Sequence, residues 1–352
     1  MEIGLLIILL IVVALPLSVR KIEENLEIFL LVMGIAAALV SGVIDFADMG
    51  KTLDEFGRIF SNINLYLITG IVFVLGILFM LFEKKIDYVA GTLLEKIPLR
   101  LAVALIILIL GLLSSFITAI IASLLLAEII SMLPLHRKEA FRINIIACYS
   151  IGLGAVLTPV GEPLSTIVAS KLNARFFYLF DLLWMYIIPI VILLAAFGAL
   201  TVKSWQADQD VAIEQIDPEK KTFKGTVLRS VKIFAFIIAL ELLGAGFQPV
   251  IDAYVIKLND YILYVLNLLS AILDNATLAA AEVSPLMNAI QLKTILMSLL
   301  ISGGMLITGN IPNIVTASRL KIRSRDWAKM ALPIGAVLFF GYLIYSLIFH
   351  NI

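Results

Sequence analysis

The sequence predicts an all-α, polytopic membrane protein of about eight full spans, on three observations. Apolar residues make up 62% of the 352, and the mean hydropathy is +1.08, far from the mixture of an ordinary soluble domain. Runs such as IGLLIILLIVVALPLSV, YLITGIVFVLGILFMLF and LWMYIIPIVILLAAFGAL recur along the whole length, each near the roughly 20 residues a helix needs to cross the hydrocarbon core. Charge is sparse, 26 basic against 26 acidic residues, so no basic excess suggests nucleic acid as a partner.

The first run, near 2–18, has no basic n-region and no small-residue cleavage site, and reads as a retained span, not a signal peptide. Further full spans fall near 27–45, 64–83, 142–172, 178–200, 228–247, 291–320 and 329–350. Segments 101–133 and 260–284 are different: they are apolar but centred on polar clusters, LLSSFIT and LLSAILDNAT. Each arm of the first reaches only about 24 Å, short of a comfortable crossing, which predicts two re-entrant hairpins with their tips inside the membrane. The chain then divides into N-terminal scaffold spans (1–63), a first repeat (64–200, hairpin 101–133 and broken helix 142–172), a linker (201–227) and a second repeat (228–352, hairpin 260–284 and broken helix 291–320).

Lysine and arginine crowd the loops 84–100, 136–142, 201–232 and 319–329, and thin out in 171–177, 248–260 and 285–293. The positive-inside rule places the first set in the cytoplasm, with both termini outside, the linker cytoplasmic and the cell membrane as the location. Trp184 and Trp327 read as interfacial anchors. Cys148, the single cysteine, excludes internal disulfides, and with His136 and His350 it takes a structural reading.

Two stretches carry matched punctuation. GEPLSTIVASKL (161–172) lies over GNIPNIVTASRL (309–320) without gaps, agreeing at Gly, Ala, Ser and Leu with Lys171 over Arg319, and LLSSFITA (112–119) lies over LLSAILDN (268–275). The order hairpin, broken helix, full helix occurs twice, and equivalent loops differ in basic content: 136–142 has three basic residues where 285–293 has one, and 171–177 has two where 319–329 has five. Opposite sidedness of equivalent loops is what an inverted-topology repeat requires. Proline removes an amide donor and glycine weakens a helix, so TPVGEP and TGNIPN should unwind partway through the bilayer. The freed groups must then be buried in protein or line an aqueous cavity, where half-helix ends can hold ions. A pair of structural kinks is the bland alternative.

At these residues the chain resembles the ion transporter superfamily of NhaD-type sodium/proton antiporters, arsenite permeases, citrate transporters and divalent anion:sodium symporters, over roughly 64–350. It looks closest to an uncharacterised cation transporter branch. The resembling pattern sets a polar hairpin tip against a broken helix in each half: Ser114, Ser115 and Thr118 with Thr158, Gly161 and Pro163, then Asp274, Asn275 and Thr277 with Thr308, Asn310, Pro312 and Asn313. The resemblance implies an elevator-like transport domain built from both hairpins and both broken helices, usually in a homodimer. The chain departs from the symporters, whose tips carry Ser-Asn-Thr in both halves: the first tip lacks the Asn, and the second places Asp274 before it.

Ionisable groups at membrane depth are costly and usually functional. No Lys or Arg occurs in 101–136, 143–170, 258–292 or 294–318, whereas Glu128, Glu162, Asp274 and Glu282 do. An acidic site favours a cation or a proton over a carboxylate or phosphate, and carboxylate, hydroxyl and carbonyl oxygens are hard ligands for alkali ions. Asp274 and Glu162 are the leading proton carriers. Glu128 and Glu282 on the second arms read as a relay or as simple pairing, and Glu241 as a packing or interface acid. These features predict a small-cation (Na+)/proton antiporter, with Na+ at Asp274, Asn275 and Asn310 and no resident cofactor; the alternative is a coupled transporter of a small anion. The sequence contains no G-x-S-x-G, H-E-x-x-H or P-loop, so neither a hydrolase nor an ATPase is expected.

Overall fold

A chain immersed in lipid must close its backbone hydrogen bonds on itself, and in the computed structural model every regular element among the described residues is a helix. The structure describes residues 2–19, 22, 26–61, 65, 66, 69, 70, 73, 74, 77, 81, 97–202, 223–250, 253, 254, 257–271 and 275–349. The expected span 64–83, most of the linker 201–227 and the candidate Asp274 therefore lie wholly or largely outside the described residues.

The N-terminal part gives α1 (Glu2–Ser18), α2 (Leu26–Ser41) and α3 (Met49–Ser61). The first hairpin is α4 (Leu99–Ile117) and α5 (Ala119–Met132), joined at the single residue Thr118. The first broken helix is α6 (Arg137–Ala155) and α7 (Pro163–Lys171), followed by α8 (Tyr178–Thr201). The second half opens with α9 (Phe223–Val250) and α10 (Asp260–Leu266), which runs into a 3-10 turn at Asn267–Ala271; α11 (Asn275–Glu282) follows. Next come α12 (Ala289–Gly303), a 3-10 turn at Ile307–Gly309, α13 (Ile311–Arg319) and α14 (Ser324–Phe349). Of the described helices, α4, α8, α9 and α14 are long and apolar enough to cross a membrane, marking a membrane-embedded chain.

Two packing groups position the site. In one, α9 lies along α2 with α1 beside it. Small residues permit the close approach: a Cβ added to Gly34 would stand 2.7 Å from the Ala239 carbonyl oxygen, and one on Gly246 would stand 2.8 Å from the Ala37 carbonyl carbon. In the other group, α4, α6 and α8 pack mutually, and the halves interlock crosswise, α5 against α13 and α7 against α11.

Around the two breaks the same local structure recurs. A shift of 148 carries the end of α6 at Ala155 to the end of α12 at Gly303, and both ends of α7 (163, 171) to both ends of α13 (311, 319). It carries the extended N-cap Glu162 (φ −154°, ψ 163°) to the extended N-cap Asn310 (φ −162°, ψ 149°), and left-handed Asn173 (φ 45°) to left-handed Lys321 (φ 52°). The closing hydrogen bonds match too: Ala174 N donates to Ala169 O at 2.8 Å, and Ile322 N to Ala317 O at 2.9 Å. Proline occupies the first turn of both short helices, where its missing N–H costs nothing.

Two features depart from the sequence reading. Trp327, expected as an interfacial anchor, is fully buried, its Nε1 3.4 Å from the Gly304 carbonyl oxygen that it donates to. The break after α12 leaves that carbonyl in need of a partner, and the indole satisfies it in the core. Trp184 is exposed and stacked on Phe180. The second departure is α3, an amphipathic helix in a stretch read only as part of the N-terminal scaffold.

Candidate functional site

Each hairpin tip meets the break of its own half through hydroxyls and backbone. In the first half Ser114 Oγ donates to Ile151 O at 3.0 Å, and Thr158 Oγ1 donates to Ser115 O. The second half has Ser270 Oγ to Leu299 O at 3.2 Å and Thr308 Oγ1 to Ala271 O at 3.4 Å. With hairpins shifted by 156 and broken helices by 148, the first pair of bonds joins matched residues. The second joins matched hairpin carbonyls, the threonine lying two positions off the strict register.

The tip of the first hairpin is held under strain. Thr118 adopts φ 75°, ψ 148°, a region populated mainly by glycine and costly for a β-branched residue. Its Oγ1 accepts from Ile121 N at 3.4 Å, and the next amide, Ala119 N, donates to Gly161 O at 2.7 Å. Gly161 is required here, since a Cβ on it would collide with the Ala155 carbonyl. The position matched to Thr118 is Asp274, outside the described residues; Thr277 is a residue of α11 whose side chain is likewise outside them.

Glu162, 5% exposed, caps α7. Its amide donates to Ser165 Oγ at 3.3 Å, and its carbonyl accepts from Ser165 Oγ (2.7 Å) and Thr166 Oγ1 (3.2 Å). These hydroxyls close the backbone of the first break, while the Glu162 Oε1 atom is enclosed within the protein.

The second break is different. Asn310, 1% exposed, has no hydrogen-bond partner at either amide atom; Asn275 has none at Nδ2, and Asn313 none at Oδ1. Asn313 Nδ2 donates to Gly303 O (2.9 Å) and Leu306 O (2.8 Å), which pins it across the break. A Cβ on Gly303 would stand 3.5 Å from both Asn275 Nδ2 and Asn310 Cβ, and one on Gly152 of α6 would overlap Asn310 Nδ2. Hairpin tip, break and a helix of the other half therefore meet at one carboxamide cluster. A buried polar group left unpaired costs about 1–3 kcal/mol and calls for an explanation, such as an ordered water, an ion or a ligand. The amide nitrogens can donate to an anion, and the amide and backbone oxygens can hold a cation.

Glu128 lies in the middle of α5 and Glu282 ends α11 with one carboxylate oxygen enclosed, opposite the Asn267 amide. Sequence intervals free of base are not free of base in space: Lys171, at the end of α7, donates from Nζ to Ala280 O (2.7 Å) and Val283 O (2.9 Å) at the end of α11. Glu241 of α9, expected as a packing or interface acid, accepts from Ser170 Oγ of α7. A further buried polar group, which sequence reasoning missed, joins α6 to α13. In it Asn144 Nδ2 donates to Thr316 Oγ1 at 3.0 Å, and Cys148 Sγ lies 3.2 Å from the same hydroxyl.

Residues 2–349 match the model of a family described as a protein of unknown function, DUF1646. No curated protein matches the sequence.

Proposed function

The chain belongs to the DUF1646 family, and we propose that it is a secondary active transporter exchanging a small cation, Na+, for protons across the cell membrane. The observation that carries the reading is the second break, where Asn275, Asn310 and Asn313 bury amide atoms with no protein partner. Structural kinks alone do not account for three such groups at about 1–3 kcal/mol apiece. In this reading the repeats are inverted, the two hairpins re-enter the membrane, and the matched breaks face each other near its middle. Protons travel on Asp274 and Glu162, with Na+ seated by Asp274, Asn275 and Asn310. The chain works as a homodimer, and both termini lie outside.

A specific observation also favours the second reading, an anion transporter: the unpartnered Nδ2 atoms of Asn275 and Asn310 are donors, and α11 and α13 both start at the cluster, pointing the positive ends of their dipoles at it. Proteoliposomes loaded with a pH-sensitive dye separate the two. Addition of Na+ should move protons in the wild type and not in Asp274→Asn, which stays folded because a neutral side chain costs less to bury. Undiminished Na+-driven proton movement in Asp274→Asn would refute the antiporter. Uptake of a small carboxylate, retained in that variant, would establish the anion reading.

A further inference from the structure

The thirteen residues of α3 segregate sharply. Met49, Leu53, Phe56 and Phe60 recur at helical spacing on one face, while Lys51, Asp54, Glu55 and Arg58 occupy the other. The apolar stripe is only partly used by the protein. Ile59, 2% exposed, and Phe56 pack with Ala38, Ile44 and Leu242 of the α2–α9 group, whereas Leu53 is 65% exposed, and Met49, Phe60 and the preceding Phe46 are exposed beside it.

The helix is fixed where it stands. Lys51 Nζ donates to Gly42 O at 2.7 Å, Asp45 N to Thr52 Oγ1 at 2.9 Å, and Lys51 N to Asp48 Oδ1 at 3.0 Å. These bonds clamp the turn 42–48 onto the first turn of α3, so the exposed stripe cannot swing round to bury itself. Four charged residues and a length of about 20 Å exclude a crossing. The preceding helix α2, apolar in a membrane-embedded chain, exposes an apolar row of its own at Ile28, Val32, Ile35 and Leu39.

We propose that α3 lies in the plane of the membrane interface, with Phe46, Met49, Leu53 and Phe60 among the upper acyl chains and its charged face among zwitterionic phospholipid headgroups. Two charges of each sign on that face match a headgroup layer of no net charge, and an amphipathic helix of this kind sinks its apolar side about 5–10 Å into the boundary. Bound through Ile59 to α2 and α9, it sets the depth of the α2–α9 pair in the bilayer. The inference is independent of what the protein transports.

The test is site-directed spin labelling of the full chain in phosphatidylcholine vesicles; Cys148, the single native cysteine, is buried and leaves the background clean. Cysteines at Phe46, Met49, Leu53 and Phe60 should collide with lipid-soluble oxygen in preference to a water-soluble nickel chelate. Cysteines at Asp54 and Arg58 should show the reverse, the preference alternating with the helical period. All these sites are exposed, so the labels leave the core intact, and a monodisperse elution peak selects folded samples. Preference for the nickel chelate at Leu53 and Met49 would overturn the proposal, as would protection of those sites from both reagents, which would assign the stripe to a second copy of the chain.

Discussion

Gly152→Ala is the sharpest probe of the carboxamide cluster, because it adds one methyl group in α6 where the ideal Cβ overlaps Asn310 Nδ2. The two consequences of the substitution separate. For folding, alanine is better than glycine inside a helix by about 0.5–1 kcal/mol, while pushing Asn310 off its rotamer costs about 0.5–1.5 kcal/mol. Stability should therefore change by less than about 1 kcal/mol, within a few degrees of melting temperature. For binding, the amide is displaced from a cluster with no other use for it, and losing one buried polar ligand costs about 1–3 kcal/mol, or about 5- to 150-fold in affinity. The assay is cation-driven proton flux in proteoliposomes as a function of cation concentration, read beside the thermal unfolding of the same preparation. Gly57→Ala is the control: a Cβ there meets nothing within 4 Å, so stability should hold or rise and flux should not change. If Gly152→Ala kept the wild-type half-saturating concentration, the Asn310 amide would have no part in binding, and the reasoning from unpartnered atoms to site would fail.

Three further predictions follow from the geometry. Thr118→Gly relieves a backbone conformation worth about 1–3 kcal/mol of strain but loses the contact to Ile121 N and adds unfolded-state entropy, so it should unfold at or slightly above the wild-type temperature; a clear drop would show that the tip is unstrained. Lys171→Met removes two charge-assisted bonds to the end of α11, each worth about 1.5–3 kcal/mol, and should lower thermal stability more than Lys257→Met, at an exposed position; equal stability of the two variants would count against a structural role for Lys171. Cysteines in 201–227 should react with an impermeant maleimide only from the cytoplasmic side, and those in 171–177 only from outside, whereas labelling of both from one side would exclude inverted repeats.

What could be read from the chain alone was whatever depends on a few neighbouring residues. The turn at Thr118 and both breaks are written in local chemistry: Pro163 and Pro312 fix where a short helix restarts, and Gly161 and Gly309 fix how closely the turn can back onto the preceding helix. What escaped depends on residues brought from elsewhere. Lys171 reaches across to α11 from the other half, so an interval without bases in the sequence is not one in space. Trp327 looked like an anchor because its own segment is amphiphilic, yet a carbonyl freed 23 residues earlier, at Gly304, draws it inward. The signal for α3 was present at 49, 53, 56 and 60, but its charges lower the hydropathy of any span-length window. A search for long apolar runs passes over such a helix.

The match between the halves is close at the breaks and poor in the arms that lead to them, and the difference bears on energetics across the bilayer. The inner arm of the first hairpin, α5, has 14 residues, and that of the second, α11, has 8, about 21 Å against 12 Å of helix. If the proposed ion seat lies between two such arms in re-entrant hairpins, it is not equidistant from the two water phases. For the proposed transporter, an ion approaching along α11 would fall through a smaller part of the transmembrane potential than one approaching along α5, each elementary charge being worth about 2.3 kcal/mol per 100 mV over the full field. For a carrier built this way, the membrane voltage weights loading from one side more heavily than loading from the other, so apparent ion affinity depends on voltage more steeply at the face served by the longer arm.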